Sequence, residues 1–451
     1  MSVSRLLDIS RRSMAVFQKQ MDVTSHNISN ATTAGYSRQT VGLGTCSSDY
    51  STDGYFGTGV QIEDITRARN ELTDKQIRYY NQSYSANNEK STLLSQVESL
   101  VSESSGTGLS SMISDFFNTW TKLSVTPTST QLRNAVVQSA QSLTGKIQEI
   151  YDGTNEVQAQ SKNEAVQNVT AINSAVKNIT DLNKQILAAQ ATGSSPNDLL
   201  DARDKAISDL SQITNINTSV DNKGCVAVSI GGILASDNVI STEFKIKENN
   251  GQLSLVTSKD EINATVNGGK LSAEMEVYSN SIPEYQSKLD DISQTLMNSV
   301  NSLHHSGTDL NGDAGEDFFS SYSNGVLAVN QDITDNVNKL AISSDGTNGN
   351  GDISKKMGEL ADIALLNGKT LSDNYSDLVS KIGSDVKYTA DNAASTKLVI
   401  DKLQDQQDSF SGVSVDEEMT NIIVFQRSYA ASAKMIKAAD EMLQTLLSMV
   451  S

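Results

Sequence analysis

The chain has 451 residues, room for about three domains at roughly 150 residues each, and only 3 are proline, so long uninterrupted helices are open to it. Its 35 basic and 54 acidic residues leave a net charge of −19, which repels a phosphate backbone and sets nucleic acid aside as a partner. No run approaches 18 consecutive apolar residues and no cleavable signal is present, so membrane insertion is not expected.

Residues 1–80 stand apart, with nine basic against eight acidic residues, so the acidic excess belongs to the rest of the chain. The first element is a helix whose apolar seam alternates steps of three and four through Leu7, Met14, Phe17, Met21 and Ile28, with Ser10 and Thr24 as polar intrusions. Between Asn30 and Val60 glycines and polar clusters replace the helical period, predicting extended or hairpin chain. Helical signals return at Ile65 and persist through 86–104, 131–190 and 197–213, the last opened by Ser195 and Pro196.

Residues 224–271 change to a period of two: Val226, Val228 and Ile230 share one face, as do Phe244 and Ile246, then Leu253 and Leu255. Turns are predicted at Gly231-Gly232, Asn249-Asn250-Gly251 and Asn267-Gly268-Gly269. Helix resumes at 283–303, a Gly/Asp-rich stretch covers 306–352, and helices follow at 354–366 and 372–410. The last helix begins with a capping box, Ser414 and Glu417, and carries a second seam through Met419, Ile422, Tyr429, Ile436, Leu443 and Leu447.

The fold class is therefore mainly α with a β-rich insertion: terminal coiled-coil helices, a discontinuous elongated helical bundle and a small antiparallel β module. The expected division is 1–60 (assembly helix and extended arm), 61–215 (first part of the bundle), 216–280 (β-rich outer module) and 281–306 (helix returning to the bundle). It continues with 307–352 (loop or small β segment), 353–410 (last part of the bundle) and 411–451 (C-terminal assembly helix). Such weak, polar-interrupted seams do not hold a lone helix in water, so the two ends are expected to need partners.

Catalytic and metal chemistry finds little footing. Asp309-Leu310-Asn311-Gly312-Asp313 resembles the start of a calcium loop, but Ala314 stands where the sharp turn needs glycine and Ser320 where a bidentate glutamate closes the cage. His304 and His305 are adjacent and point about 100° apart on a helix, and His26 is the only other histidine. No nucleophile elbow, phosphate loop or zinc motif appears, so no enzyme, cofactor or metal is expected. Cys46 and Cys225, the only cysteines, fall in the arm and the β module and are expected to stay unpaired.

The segment His26-Asn27-Ile28-Ser29-Asn30-Ala31-Thr32-Thr33-Ala34-Gly35-Tyr36-Ser37-Arg38-Gln39 resembles the N-terminal signature of bacterial flagellar axial proteins, with Asn27, Asn30, Gly35, Tyr36, Ser37 and Arg38 at signature positions. Asn197 through Asp204, His305 through Phe319, and Gly412 through Met449 narrow the resemblance to the hook-associated protein 1 family of hook–filament junction proteins. Ala34 departs from the proline usual there, and only about 35 residues separate Phe319 from the helix at Ser354, so a pared-down outer surface is expected.

The resemblance implies an extracellular, secreted structural protein of the bacterial flagellum that self-assembles into a ring through its terminal helices. It further implies contact with the hook protein and a second junction protein, and a cytoplasmic export chaperone on the C-terminal helix before type III export. The seam residues of both ends are the expected assembly interface. The alternative is a type III secreted translocator or adhesin with coiled-coil ends, which does not need the signature.

Overall fold

The computed structural model describes residues 3–51, 54–102, 108–221 and 224–450. Helix α1 (Val3–Ser29) leads into an arm of two antiparallel hairpins, β1 (Gln39–Thr45) with β4 (Val60–Arg67), and β2 (Asp49–Ser51) with β3 (Gly54–Phe56). Ile65 thus lies in a strand paired with Val41, three residues short of Ala68, where the ladder ends. The helical layer starts only at α2 (Glu71–Val101), where the Asn70 side chain accepts from the N–H groups of Leu72 and Thr73. Pairing with β1 satisfies backbone groups that the local sequence leaves equally free to enter a helix.

Helix α3 (Leu109–Val125) comes from a stretch to which the sequence assigns no element, and α4 (Thr130–Ala191) and α5 (Asn197–Ile213) form where the periodicity places them. At 62 residues α4 is about 90 Å long, and it runs through two hydrophobic cores. The β module holds two three-stranded antiparallel sheets: β5 (Ile216–Val220), β6 (Val226–Ile230) and β7 (Ile233–Ser236), then β8 (Phe244–Asn249), β9 (Gln252–Thr257) and β10 (Asn263–Ala264). The turn at Asn267-Gly268-Gly269 joins no two strands: Gly269 at φ +77° leads into α6 (Lys270–Glu276).

From α6 the chain passes through one π-helical turn, Val277–Ser281, into α7 (Ile282–His305). The hairpin β11 (Phe319–Ser323) and β12 (Val326–Val329) and the short α8 (Gln331–Asp335) follow. Helix α9 (Asp352–Glu359) ends after one further 3₁₀ turn at Asp362, so residues 363–366 are not helical as expected; Leu366 and Lys369 instead form a short bridge. Helices α10 (Leu371–Ser411) and α11 (Val415–Val450) complete the chain.

Helix α10 lies antiparallel along α2, since Tyr375 Oη donates to the Val101 carbonyl at one end and Gln407 bonds Asp74 at the other. One core gathers side chains of α2, α3, α7 and α10 and the first half of α4 around Trp120, Phe116, Phe117, Phe318 and Phe319, whose closest rings are 4.8 Å apart. The second packs the far half of α4 and α5 against the β module, through Ile172, Ile207, Val228 and Leu255. Neither core contains a residue of α1 or α11.

Candidate assembly site at the chain ends

Helices α1 and α11 pack along one another, and Asn27 near the end of α1 meets Glu418 near the start of α11, so they run antiparallel. Equal rise then sets Val3 beside roughly residue 442, and the final turns of α11 extend past α1. Ser414 Oγ accepts from the Glu417 N–H at 3.5 Å, at the start expected for this helix.

The seams meet with an offset. On α1 the deepest positions are Ser10, Val16, Val23, Thr24 and Asn27, while Leu7, Met14, Phe17, Met21 and Ile28 are half-buried. The arm takes part of that surface: the Arg5 guanidinium sits 5.2 Å over the Phe56 ring and Arg12 Nη1 lies 2.7 Å from Cys46 Sγ. On α11 the face toward α1 holds Glu418, Ile422, Phe425, Tyr429, Ile436 and Ala439. Met419 and Leu443 turn outward, as do Ile423, Val424, Met435 and Leu446, and Leu447 is 71% exposed. A straight 3.6-residue helix drifts from a 3.5-residue repeat, so the stripe faces α1 through its middle, Ile422 to Ile436, and has turned off it by Leu443 and Leu447.

At the base of this pair the signature segment folds into a clasp. Asn27 is buried and satisfied at every position: Nδ2 donates to the Gln39 carbonyl (2.9 Å) and Glu418 Oε2 (3.0 Å), while Oδ1 accepts from the Gln39 N–H (2.9 Å) and Tyr36 Oη (2.7 Å). Asn30 Nδ2 donates back to the His26 carbonyl at the helix end. Gly35 holds φ +85°, and a Cβ there would come 3.1 Å from the Lys205 side chain. That turn places the Tyr36 hydroxyl 3.0 Å from His26 Nδ1. Burial, and then the carboxylates of Asp198, Asp201 and Glu418, push the Tyr36 hydroxyl above its ordinary range, so it serves as a neutral donor.

Ser37 and Arg38 carry the clasp to the rest of the molecule in opposite directions. Ser37 donates through its N–H (3.0 Å) and Oγ (2.8 Å) to Asp201 of α5, which also receives Arg67 Nη1 at 2.7 Å. Arg38 donates through Nε (2.8 Å) and Nη2 (2.7 Å) to Glu418 Oε1, and through Nη2 to Glu417 at 3.2 Å; its N–H meets the Ser411 carbonyl at 2.9 Å. One loop therefore ties α1, the arm, α5 and α11 into a joint. Asp201 and Glu418, its carboxylate acceptors, are not among the site residues expected from the sequence, where Glu418 stands out only as an acidic residue suited to the start of its helix, although both lie inside the segments that carry the family resemblance.

The remaining candidates for chemistry are engaged structurally. His304 is buried, donates from Nδ1 to the Glu316 carbonyl and accepts the Ala341 N–H at Nε2 (2.9 Å). Burial holds its pKa down to about 4. Asp309 spends Oδ1 on the N–H groups of Asn311 (2.7 Å) and Asp313 (2.9 Å), closing the would-be calcium loop as a turn. Cys46 and Cys225 are both free and buried. Among the described residues no helix is long and apolar enough to cross a membrane.

Against known proteins, residues 94–319 match the model of the flagellar hook-associated protein FlgK helical domain, and residues 406–449 match that of the flagellar basal body rod FlgEFG protein C-terminal region. The chain is 28% identical over 494 residues to flagellar hook-associated protein 1 of Bacillus subtilis (strain 168), covering 98% of this chain and 97% of that protein. It is 23% identical over 545 residues to the protein of the same name in Escherichia coli (strain K12), covering 99% and 100%. In fold it is similar to the flagellar hook junction protein FlgK from Burkholderia pseudomallei, with a TM-score of 0.65 at 14% identity over 74% of this chain and 100% of that one.

Proposed function

This chain belongs to the flagellar hook-associated protein FlgK family, and on that premise we propose that it assembles at the hook–filament junction through the outward faces of α1 and α11. It is a structural component of the flagellum, part of the extracellular axial structure, and self-assembly with hook-associated neighbours goes with that family. The full-length match does not favour a translocator or adhesin.

One observation carries the assembly reading: α11 exposes Met419, Ile423, Val424, Met435, Leu446 and Leu447 on a protein whose other large apolar side chains mostly fill two cores. An apolar stripe on a helix already backed by α1 is what a neighbouring copy would cover, and repetition around a ring multiplies a weak contact. In this reading the inward residues, Ile422, Tyr429 and Ile436 with Leu7, Met14, Phe17, Met21 and Ile28, set the shape of the pair; Met419, Leu443 and Leu447 meet the next subunit. The signature residues Asn27, Asn30, Gly35, Tyr36, Ser37 and Arg38 fix the angle between pair and bundle. The hook protein lies on one side of the ring and the second junction protein on the other. A cytoplasmic chaperone covers the α11 stripe before type III export, and the protein performs no catalysis. The working division is that of the seven segments set out from the sequence, save that strand β4 carries the arm on to Arg67, with the first segment and 411–451 as the assembling ends.

Leu447→Asp tests this. At an exposed position the charge leaves the monomer melting transition in place, yet in the ring each copy would bury an unpaired carboxylate at several kcal/mol. Cells carrying it should build hooks, lack filaments and shed filament protein into the medium, with the variant detected outside the cell to establish export. Normal filaments would show that this stripe is not at an interface. Ile436→Asp is the contrast, because it strikes the α1–α11 contact inside the subunit.

A further inference from the structure

At the boundary between the two cores three carboxylates from three helices converge. Glu89 of α2, Glu164 of α4 and Glu274 of α6 each bring one oxygen to within 4.8 Å of the other two. Glu274 is 1% exposed; its Oε1 accepts from Asn168 Nδ2, and its Oε2 is buried with no partner. Glu164 repeats the arrangement, with Oε1 receiving Gln160 Nε2 at 2.9 Å and Oε2 buried and unpartnered. The nearby cation is Lys270 Nζ, 3.7 Å from Glu89.

A buried carboxylate oxygen without a donor loses its hydration and gains nothing in return, so two side by side call for a positive ligand or a proton. With no ion bound, burial, and then the charges of Glu89 and Glu164, push the Glu274 carboxyl up to about 8. One ammonium against three carboxylates leaves two negative charges, which a divalent cation matches. Oxygens this close fit a single ion with bonds of about 2.4 Å, a calcium distance, and an all-oxygen donor set excludes soft metals.

We propose that Glu89, Glu164 and Glu274 form a calcium site that pins α6, and with it the β module, to α2 and α4. The choice of calcium rests on the extracellular placement argued above; the site itself rests on the side chains alone. Its use would be mechanical, because α6 starts the return from the β module to the bundle and the three helices otherwise share a patch of repelling charge.

The test uses the full chain stripped with EDTA and titrated with calcium chloride at pH 8. Calorimetry should give one ion per chain with a dissociation constant of about 10⁻⁵–10⁻³ M. Runs in buffers of different ionisation heat should show proton release that diminishes above pH 9, and saturating calcium should raise Tm by about 5 °C. Glu274→Gln should weaken binding at least tenfold while melting in EDTA no lower than wild type, and Glu89→Gln, at a more accessible position, is the second variant should the first fail to fold. No heat and no Tm change with wild type would overturn the site, as would unchanged calcium affinity in a folded variant. Magnesium stabilising as much as calcium would overturn the choice of ion, independently of the junction role.

Discussion

Removing Glu418 should open the ends of the protein without unfolding its middle. In Glu418→Ala, Arg38 loses the carboxylate that takes both Nε and Nη2, and Asn27 loses one of its four partners. Glu418 is only 2% exposed, and taking one member from a buried pair typically costs about 3–5 kcal/mol. Arg38 keeps 24% of its side chain in solvent and still reaches Glu417, which reduces the loss to about 2 kcal/mol. The orphaned Asn27 donor adds about 1 kcal/mol. Because α1 and α11 contribute nothing to either core, the resulting 3 kcal/mol or so falls on their local opening and corresponds to a population increase of roughly a hundredfold. Amide exchange by mass spectrometry at pH 7 should show faster exchange in peptides from 3–29 and 415–439, and none in 136–157 or 289–300. Arg38→Ala should produce the same pattern, and the double variant should be no worse than the sum less about 2 kcal/mol. Unchanged exchange at the ends, or equal loss of protection in the bundle, would refute the view of the clasp as the joint of a separable pair.

Gly35→Ala should cost about 1 kcal/mol, since a Cβ at φ +85° is strained and crowds Lys205, and the faster exchange should be confined to 30–39 and the adjoining start of α5. His304 makes stability depend on pH in a stated direction. Its folded pKa of about 4 lies below the unfolded 6.5, so the unfolded chain takes up the proton first; the stability is fully present above pH 6.5 and is lost as pH falls toward 4, by about 3 kcal/mol. Urea midpoints between pH 7 and 4 should fall accordingly, and His304→Gln should flatten the fall over that window.

How much of this was legible in the residues differs from element to element. Helices α4 and α5 were predicted to within a residue, because their apolar periods are long and caps or breakers bound them. The alternating residues of β6, β8 and β9 were equally plain. The end of β4, from Ile65, carries helical signals in the sequence, and only pairing with β1 makes it strand. The turn at Asn267-Gly268-Gly269 was recognised as a turn but not as the lead into α6, a distinction that depends on what the next segment packs against.

That the ends are helical, that a signature loop joins one of them to the arm, and which family the whole resembles can all be read from the residues alone, because these depend on local periodicity and on residue identity at fixed spacing. Which side of each terminal stripe faces inward follows from packing. The offset that half-buries Phe425 and Ile436 while turning out Met419 and Leu447 goes with the Asn27–Glu418–Arg38 contacts, which join residues more than 370 positions apart. The same holds for Glu89, Glu164 and Glu274: each is an ordinary helical glutamate in its own segment, and their shared charge exists only where three helices cross. No spacing in a linear chain records such a meeting, because its geometry is fixed by packing between segments.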